Sequence, residues 1–223
     1  MPDGQYSFYL HSDDRTDIAA MATISTISQP LRGEFIRTAA TAGAVVYQVD
    51  ARLPALIPVF FAGQLSAVRL CAVMALVSGT WSSLTGLPDE PDGGVVDLPV
   101  SPETEYQRRR YTLTLQNGRS GERVESVLTE ASSRLRGDLL RNLIITGLAL
   151  HTTAPELPRL LASMPVPPTS VSELQALVQQ MAGTADVSRA AAALPDTPAT
   201  SAVPVSGPDT REIKKNMRRA FGD

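Results

Sequence analysis

The 223-residue chain has one cysteine and two histidines. A single thiol builds neither a disulfide framework nor a thiolate metal cluster. Cys71, in the apolar run Arg69-Leu70-Cys71-Ala72-Val73, reads as a packing residue of a protein from a reducing compartment. His11 and His151 have no second His, Cys or paired acid at metal-ligand spacing, so no metal site is expected. Both lysines, Lys214 and Lys215, stand near the C-terminus, and the Gly93-Gly94 pair lies in an acidic stretch. A phosphate-binding glycine loop with its Lys and Ser/Thr is therefore missing. No catalytic constellation remains, and neither enzymatic activity nor a cofactor is expected.

Long uninterrupted apolar runs are also missing. Val59 to Val77 has about the length of a membrane span but carries Gln64 and Arg69, which a lipid core penalises. A buried helical segment is expected instead. The opening Met1-Pro2-Asp3-Gly4 lacks the basic, apolar and cleavage-site order of a signal peptide. A soluble, cytoplasmic protein with no membrane contact is the expectation.

An excess of positive charge is the third absence, with 20 Lys+Arg against 23 Asp+Glu and a net charge of −3. That total alone disfavours nucleic acid. Its distribution is uneven, however. Residues 1–100 hold 5 basic and 10 acidic side chains, residues 101–182 hold 9 and 8, and residues 211–223 hold 5 and 2. DNA therefore stays open, with weak phosphate affinity per unit, strength from many units arrayed on repeated sites, and the second half as the stronger contact.

What is present is a repeat, which takes precedence over any motif. Leu31-Arg32-Gly33-Glu34-Phe35-Ile36-Arg37 returns 104 residues later as Leu135-Arg136-Gly137-Asp138-Leu139-Leu140-Arg141. Gly43 and Gly147, Leu53-Pro54 and Leu157-Pro158, and Leu56 and Leu160 keep the same offset. Upstream, Tyr6-Ser7-Phe8-Tyr9-Leu10 and Tyr111-Thr112-Leu113-Thr114-Leu115 alternate with the period of a half-buried strand. Their offset is 105, so one copy carries a one-residue insertion between strand and second helix. Val124, Val127, Leu128 and Ala131 follow helical spacing, answered less regularly by Ile18, Met21, Ile24 and Ile27. A second helix follows in each copy after Ser28 with Pro30, or after Ser132-Ser133. The glycine at one place in both second helices predicts close helix packing.

Each copy thus reads strand, helix, helix. A five-residue strand needs a partner for its backbone groups, and pairing two such strands antiparallel gives tandem ribbon-helix-helix units in a mainly α fold. Such a ribbon fits the DNA major groove. Tyr6, Phe8 and Leu10 would face the helices. Ser7, Tyr9, Thr112, Thr114 and Gln116 would face outward, as base-reading hydroxyls and amides or as an ordinary solvated face. Arg32 and Arg136, in the first turn of the second helices, are candidate phosphate contacts or surface ion-pair residues. Strand 6–10 pairing with strand 111–115 would let one chain form a unit normally built by two.

From the second helix onward, Arg37-Thr38-Ala39-Ala40-Thr41-Ala42-Gly43-Ala44-Val45-Val46-Tyr47-Gln48 followed by Asp50-Ala51-Arg52-Leu53-Pro54 resembles the plasmid segregation adaptor family ParR, also called StbB. The second copy, Arg141 to His151, is similar more loosely, with His151 at the place of Tyr47. Glu212-Ile213-Lys214-Lys215-Asn216-Met217 resembles the family's terminal filament-binding segment. The resemblance implies a protein that binds double-stranded DNA at plasmid centromere repeats, self-associates into arrays there, links them to filaments of an actin-like ATPase (ParM type), and represses its own operon. The departure is the duplication, since the family carries one unit per chain.

The tail also reads as an interaction peptide by itself. Ile213, Met217, Ala220 and Phe221 form one apolar stripe of a helix, and Lys214, Lys215, Arg218 and Arg219 its other faces. It could fold in a partner groove, bind DNA non-specifically, or pack on its own body. The candidate partner-binding set is Ile213, Lys214, Lys215, Asn216, Met217, Arg218 and Phe221. The expected organisation is repeat 1 with a helical extension over 1–83, a linker over 84–105, repeat 2 with its extension over 106–182, a disordered linker over 183–209 and a C-terminal helix over 210–223. Two other functions fit these features: a ribbon-helix-helix repressor or antitoxin with no motor partner, and a scaffold that does not bind DNA.

Overall fold

The computed structural model describes residues 4–80 and 107–192, with side chains up to 183. The expected linker over 84–105 and the C-terminal helix lie outside the described residues, as does most of the expected linker over 183–209. The hydrophobic core from Phe8 to Val178 lies within the unit Met1–Asp186.

Repeat 1 runs β1 (Gln5–His11), α1 (Arg15–Ser25), a short 3-10 turn (Gln29–Leu31), α2 (Arg32–Val49), α3 (Leu53–Phe60) and α4 (Ala67–Ser78). Repeat 2 runs β2 (Arg108–Thr114), α5 (Arg119–Glu130), α6 (Arg136–Thr153), α7 (Leu157–Ser163) and α8 (Val171–Ala192). The fold is mainly α, with one two-stranded sheet among the described residues. Local chemistry sets the boundaries. Asp14 caps α1 by accepting from the Asp17 N–H at 2.9 Å, and Ser66 caps α4 by accepting from the Arg69 N–H at 3.3 Å. Pro54 and Pro158 sit in the first turns of α3 and α7, where proline's missing N–H costs nothing.

Three boundaries differ from the sequence reading. Val59 to Val77 is not one helical segment: the chain leaves α3 after Phe60, turns through Gly63 at φ 102° and restarts at the Ser66 cap. Among the described residues no helix is long and apolar enough to cross a membrane. β2 starts at Arg108, three residues before the alternating segment, and ends at Thr114. α8 continues to Ala192, beyond the boundary expected at 182, through an alanine-rich run that favours helix.

β1 and β2 pair antiparallel within the one chain, with Ser7 opposite Thr112, Phe8 opposite Tyr111 and Tyr9 opposite Arg110. The ladder is a pseudo-dyad: with the 105-residue strand offset, Ser7 and Thr112 are equivalent positions and also direct partners. Arg15 and Arg119, which start α1 and α5, are 104 apart. The extra residue therefore lies in the strand-to-helix loop, Ser12-Asp13-Asp14 after His11 against Asn117-Gly118 after Gln116.

α2 and α6 are buried around their whole circumference over Ala39–Val46 and Leu143–Leu150. A Cβ on Gly43 would overlap the Leu143 carbonyl, and one on Gly147 would overlap the Ala39 carbonyl. These contacts are reciprocal, since 39 and 143 differ by the same 104 residues as 43 and 147. The repeated glycines thus bring the two backbones together at the pseudo-dyad. Small Ala39, Ala40 and Ala44 of α2 and large Leu143, Ile144 and Leu148 of α6 belong to one continuous core. Phe8, Leu10, Leu113 and Leu115 close that core from the ribbon side.

Candidate nucleic-acid interface

Strand alternation divides the ribbon into two faces. The inner face holds Phe8, Leu10 and Leu113, all buried, with Tyr6 and Tyr111 half-buried. The Phe8 and Tyr111 rings, directly opposed, stack at 5.3 Å. Burial pushes the Tyr6 phenol up, and Glu125 on α5, its hydrogen-bond partner, raises it further. Burial likewise pushes Tyr111 up, opposed by the charges of Arg109 and Arg32.

The outer face consists of four cross-strand pairs: Gln5 with Thr114, Ser7 with Thr112, Tyr9 with Arg110, and His11 with Arg108. Gln5, Arg108, Arg110, Thr112 and Thr114 are exposed, while Ser7, Tyr9 and His11 are partly covered. Two arginines are held along diagonals of the ladder. Arg110 donates to Ser7 Oγ from Nη2 at 2.9 Å and from Nε at 3.2 Å. The Arg108 guanidinium lies 3.5 Å from the centroid of the Tyr9 ring, a cation-π contact. The run Arg108-Arg109-Arg110 directly before the alternating segment was the available signal for both, but a strand begun at its first aromatic residue leaves it out. Arg109 has the other parity, and its guanidinium lies 5.3 Å from the Tyr111 ring.

The structure brings only some of the predicted site residues together. Ser7, Tyr9, Thr112 and Thr114 meet on the outer face. Gln116 is exposed but lies past the last paired residue of β2; it lines a groove of about 340 Å³ with Arg37, Arg119 and Arg159. Its carbonyl is approached so closely by Gly121 that a Cβ there would overlap it. Arg32 and Arg136 occupy the first positions of α2 and α6, but their side chains turn back. Arg32 Nε donates to the Ile27 carbonyl at 2.8 Å, and Arg136 Nε donates to the Ala131 carbonyl at 3.2 Å. Each closes the turn joining its repeat's two ribbon-packed helices, a role that spacing alone does not reveal. The candidate tail residues Ile213 to Phe221 lie outside the described residues.

A surface of this kind can donate hydrogen bonds from guanidinium, hydroxyl and amide groups along one two-stranded strip. This ribbon on paired helices defines a ribbon-helix-helix protein in which one chain supplies both halves. The chain belongs to the plasmid stability protein family, whose profile matches residues 4–74 and again residues 109–178, once per repeat. Membership places its role in plasmid maintenance. Comparison with curated proteins and comparison with solved structures give no match.

Proposed function

We propose that the chain is a plasmid partition adaptor of the ParR/StbB type, cytoplasmic and without catalytic activity of its own. The ribbon's outer face reads double-stranded DNA at centromere repeats, and neighbouring chains self-associate into arrays there. The C-terminal segment Ile213 to Phe221 links the array to filaments of an actin-like ATPase, whose nucleotide cycle supplies the force. Binding near its own promoter represses the operon.

The observation that carries this reading is the ribbon formed by Gln5–His11 and Arg108–Thr114, whose outward face presents Arg108, Arg110, Gln5 and four hydroxyl residues on a two-stranded element of the kind a major groove admits. The net charge of −3 does not oppose it, because Arg108 and Arg110 concentrate positive charge where the ribbon is exposed. A mobility-shift titration on the DNA flanking the gene, at several salt concentrations, tests the DNA step. Binding tighter than to random DNA is expected, and equal binding to both would overturn it. Deleting residues 211–223 should leave that shift intact and abolish capture by filaments of the actin-like partner, whereas a repressor with no motor partner is indifferent to the deletion.

A further inference from the structure

In a ribbon made by two identical chains, a dyad equates the two ends, and the DNA site is palindromic for the same reason. Here the pseudo-dyad passes between Ser7 and Thr112, and only these central residues match in chemistry. One step outward, Tyr9 stands where the other half has Thr114, and Arg110 stands where the other half has Gln5. One end of the face therefore carries Tyr9, His11, Arg108 and Arg110, and the other carries Gln5 and Thr114.

Resting on the DNA-binding reading above, we propose that this chain recognises a directional, non-palindromic element, with guanine at the Arg108/Arg110 end and A·T pairs at the Gln5/Thr114 end. The chemistry follows from base edges. An arginine fork donates to guanine O6 and N7, glutamine pairs with adenine N6 and N7, and a threonine methyl packs on the thymine methyl. Arg110, held by Ser7 Oγ at 2.9 Å, and Arg108, stacked on Tyr9, reach the groove already oriented, which lowers the ordering cost of binding. The duplication thus frees the two half-sites to differ. Chains bound to direct repeats all point the same way, and the array acquires a polarity that a symmetric dimer cannot provide.

Selection of binding sites from a random-sequence duplex library by the full chain is the test. The expected consensus has no internal dyad, with guanine confined to one end. Arg110→Lys keeps the charge and loses the fork, so it should lose about tenfold or more of the discrimination at that end alone while retaining binding to random DNA. Gln5→Ala should relax only the opposite end. A palindromic consensus would overturn directionality while leaving DNA binding in place. A one-sided consensus that Arg110→Lys leaves unchanged would overturn the assignment of the guanine end. No enriched sequence from folded protein would overturn the DNA-binding reading itself.

Discussion

Arg141 Nε lies 2.6 Å from Oδ1 of Asp17, 124 residues earlier in the chain, tying the first helix of repeat 1 to the long helix of repeat 2. Asp17 is fully buried and also accepts from the His11 N–H at 2.9 Å, while Arg141 reaches on to Asp14 at 3.3 Å. The pseudo-dyad predicts a second such pair, but it is missing: Gly121 stands 104 residues after Asp17. Arg37, the equivalent of Arg141, pairs at 2.7 Å with Glu34 on its own helix.

Arg141→Ala should therefore cost about 3–5 kcal/mol, because it leaves a buried carboxylate without its cation. Arg37→Ala breaks an exposed pair three residues apart and should cost less than about 1 kcal/mol. Urea unfolding of both variants at pH 7 checks the contrast. Equal losses would show that the Asp17 pair does not differ from a surface pair.

The same carboxyl predicts a pH dependence. Burial pushes the Asp17 carboxyl up, against the hydrogen bonds from Arg141 and His11 that hold it down. A raised acid binds its proton more readily in the folded state. Its contribution to stability is present below the ordinary carboxylate value of about 4 and is lost as pH rises through the folded value. Without Arg141 the folded value moves higher still. The deficit of Arg141→Ala should therefore be smaller at pH 5 than at pH 7, and a deficit independent of pH would exclude Asp17 as its source.

Gly43→Ala and Gly147→Ala should each destabilise by about 3 kcal/mol or more. The added methyl meets backbone on the facing helix, which cannot rotate away as a side chain can. Gly33, in the first turn of α2, has nothing nearer its would-be Cβ than Arg37 Nη1 at 3.7 Å. Gly33→Ala should be neutral or stabilise by up to about 1 kcal/mol. Thermal unfolding of the three variants separates the crossing glycines from the permissive one.

The repeat, the paired strands and the glycine crossing were legible because each leaves a fixed offset in the sequence: 104 through the helices, 105 through the strands. Leu10 and Leu115 keep the strand offset, and Arg15 and Arg119 keep the helix offset, which confines the inserted residue to the loop between them. Arg108 and Arg110 were not legible as ribbon residues, since three consecutive arginines show no alternation until the partner strand fixes which of them face outward. The inward turn of Arg32 and Arg136 onto carbonyls five residues earlier was equally invisible: it depends on where the preceding helix ends.

On the ribbon, parity makes Arg109 a control for Arg110. Arg110→Ala should weaken DNA binding about tenfold or more, whereas Arg109→Ala, whose side chain lies against Tyr111, should weaken it less. If Arg110 neutralises a phosphate instead of reading a base, its loss should lower the slope of log affinity against log salt by about one and weaken all sequences alike. Binding titrations of both variants at three salt concentrations decide between these outcomes.

Residues 1–83 alone should not form a stable symmetric dimer, although they contain a whole strand-helix-helix unit. β1 could pair with a second β1 through Ser7, but the crossing helices could not pack. α2 carries Ala39, Ala40, Gly43 and Ala44 around the crossing, where α6 carries Gly147 and the bulkier Leu143, Ile144 and Leu148 at the equivalent positions of the same core. Two copies of α2 would face small residues with small residues, leaving voids that cost about 24 cal/mol for each Å³. They would also lack the Asp17–Arg141 pair, since Arg141 lies in the other repeat. Circular dichroism and sedimentation equilibrium of the fragment should show an unfolded or weakly associating species, and adding residues 101–192 should restore the helical signal at a one-to-one ratio. A folded, symmetric dimer of 1–83 would show that the second repeat is not required to complete the core.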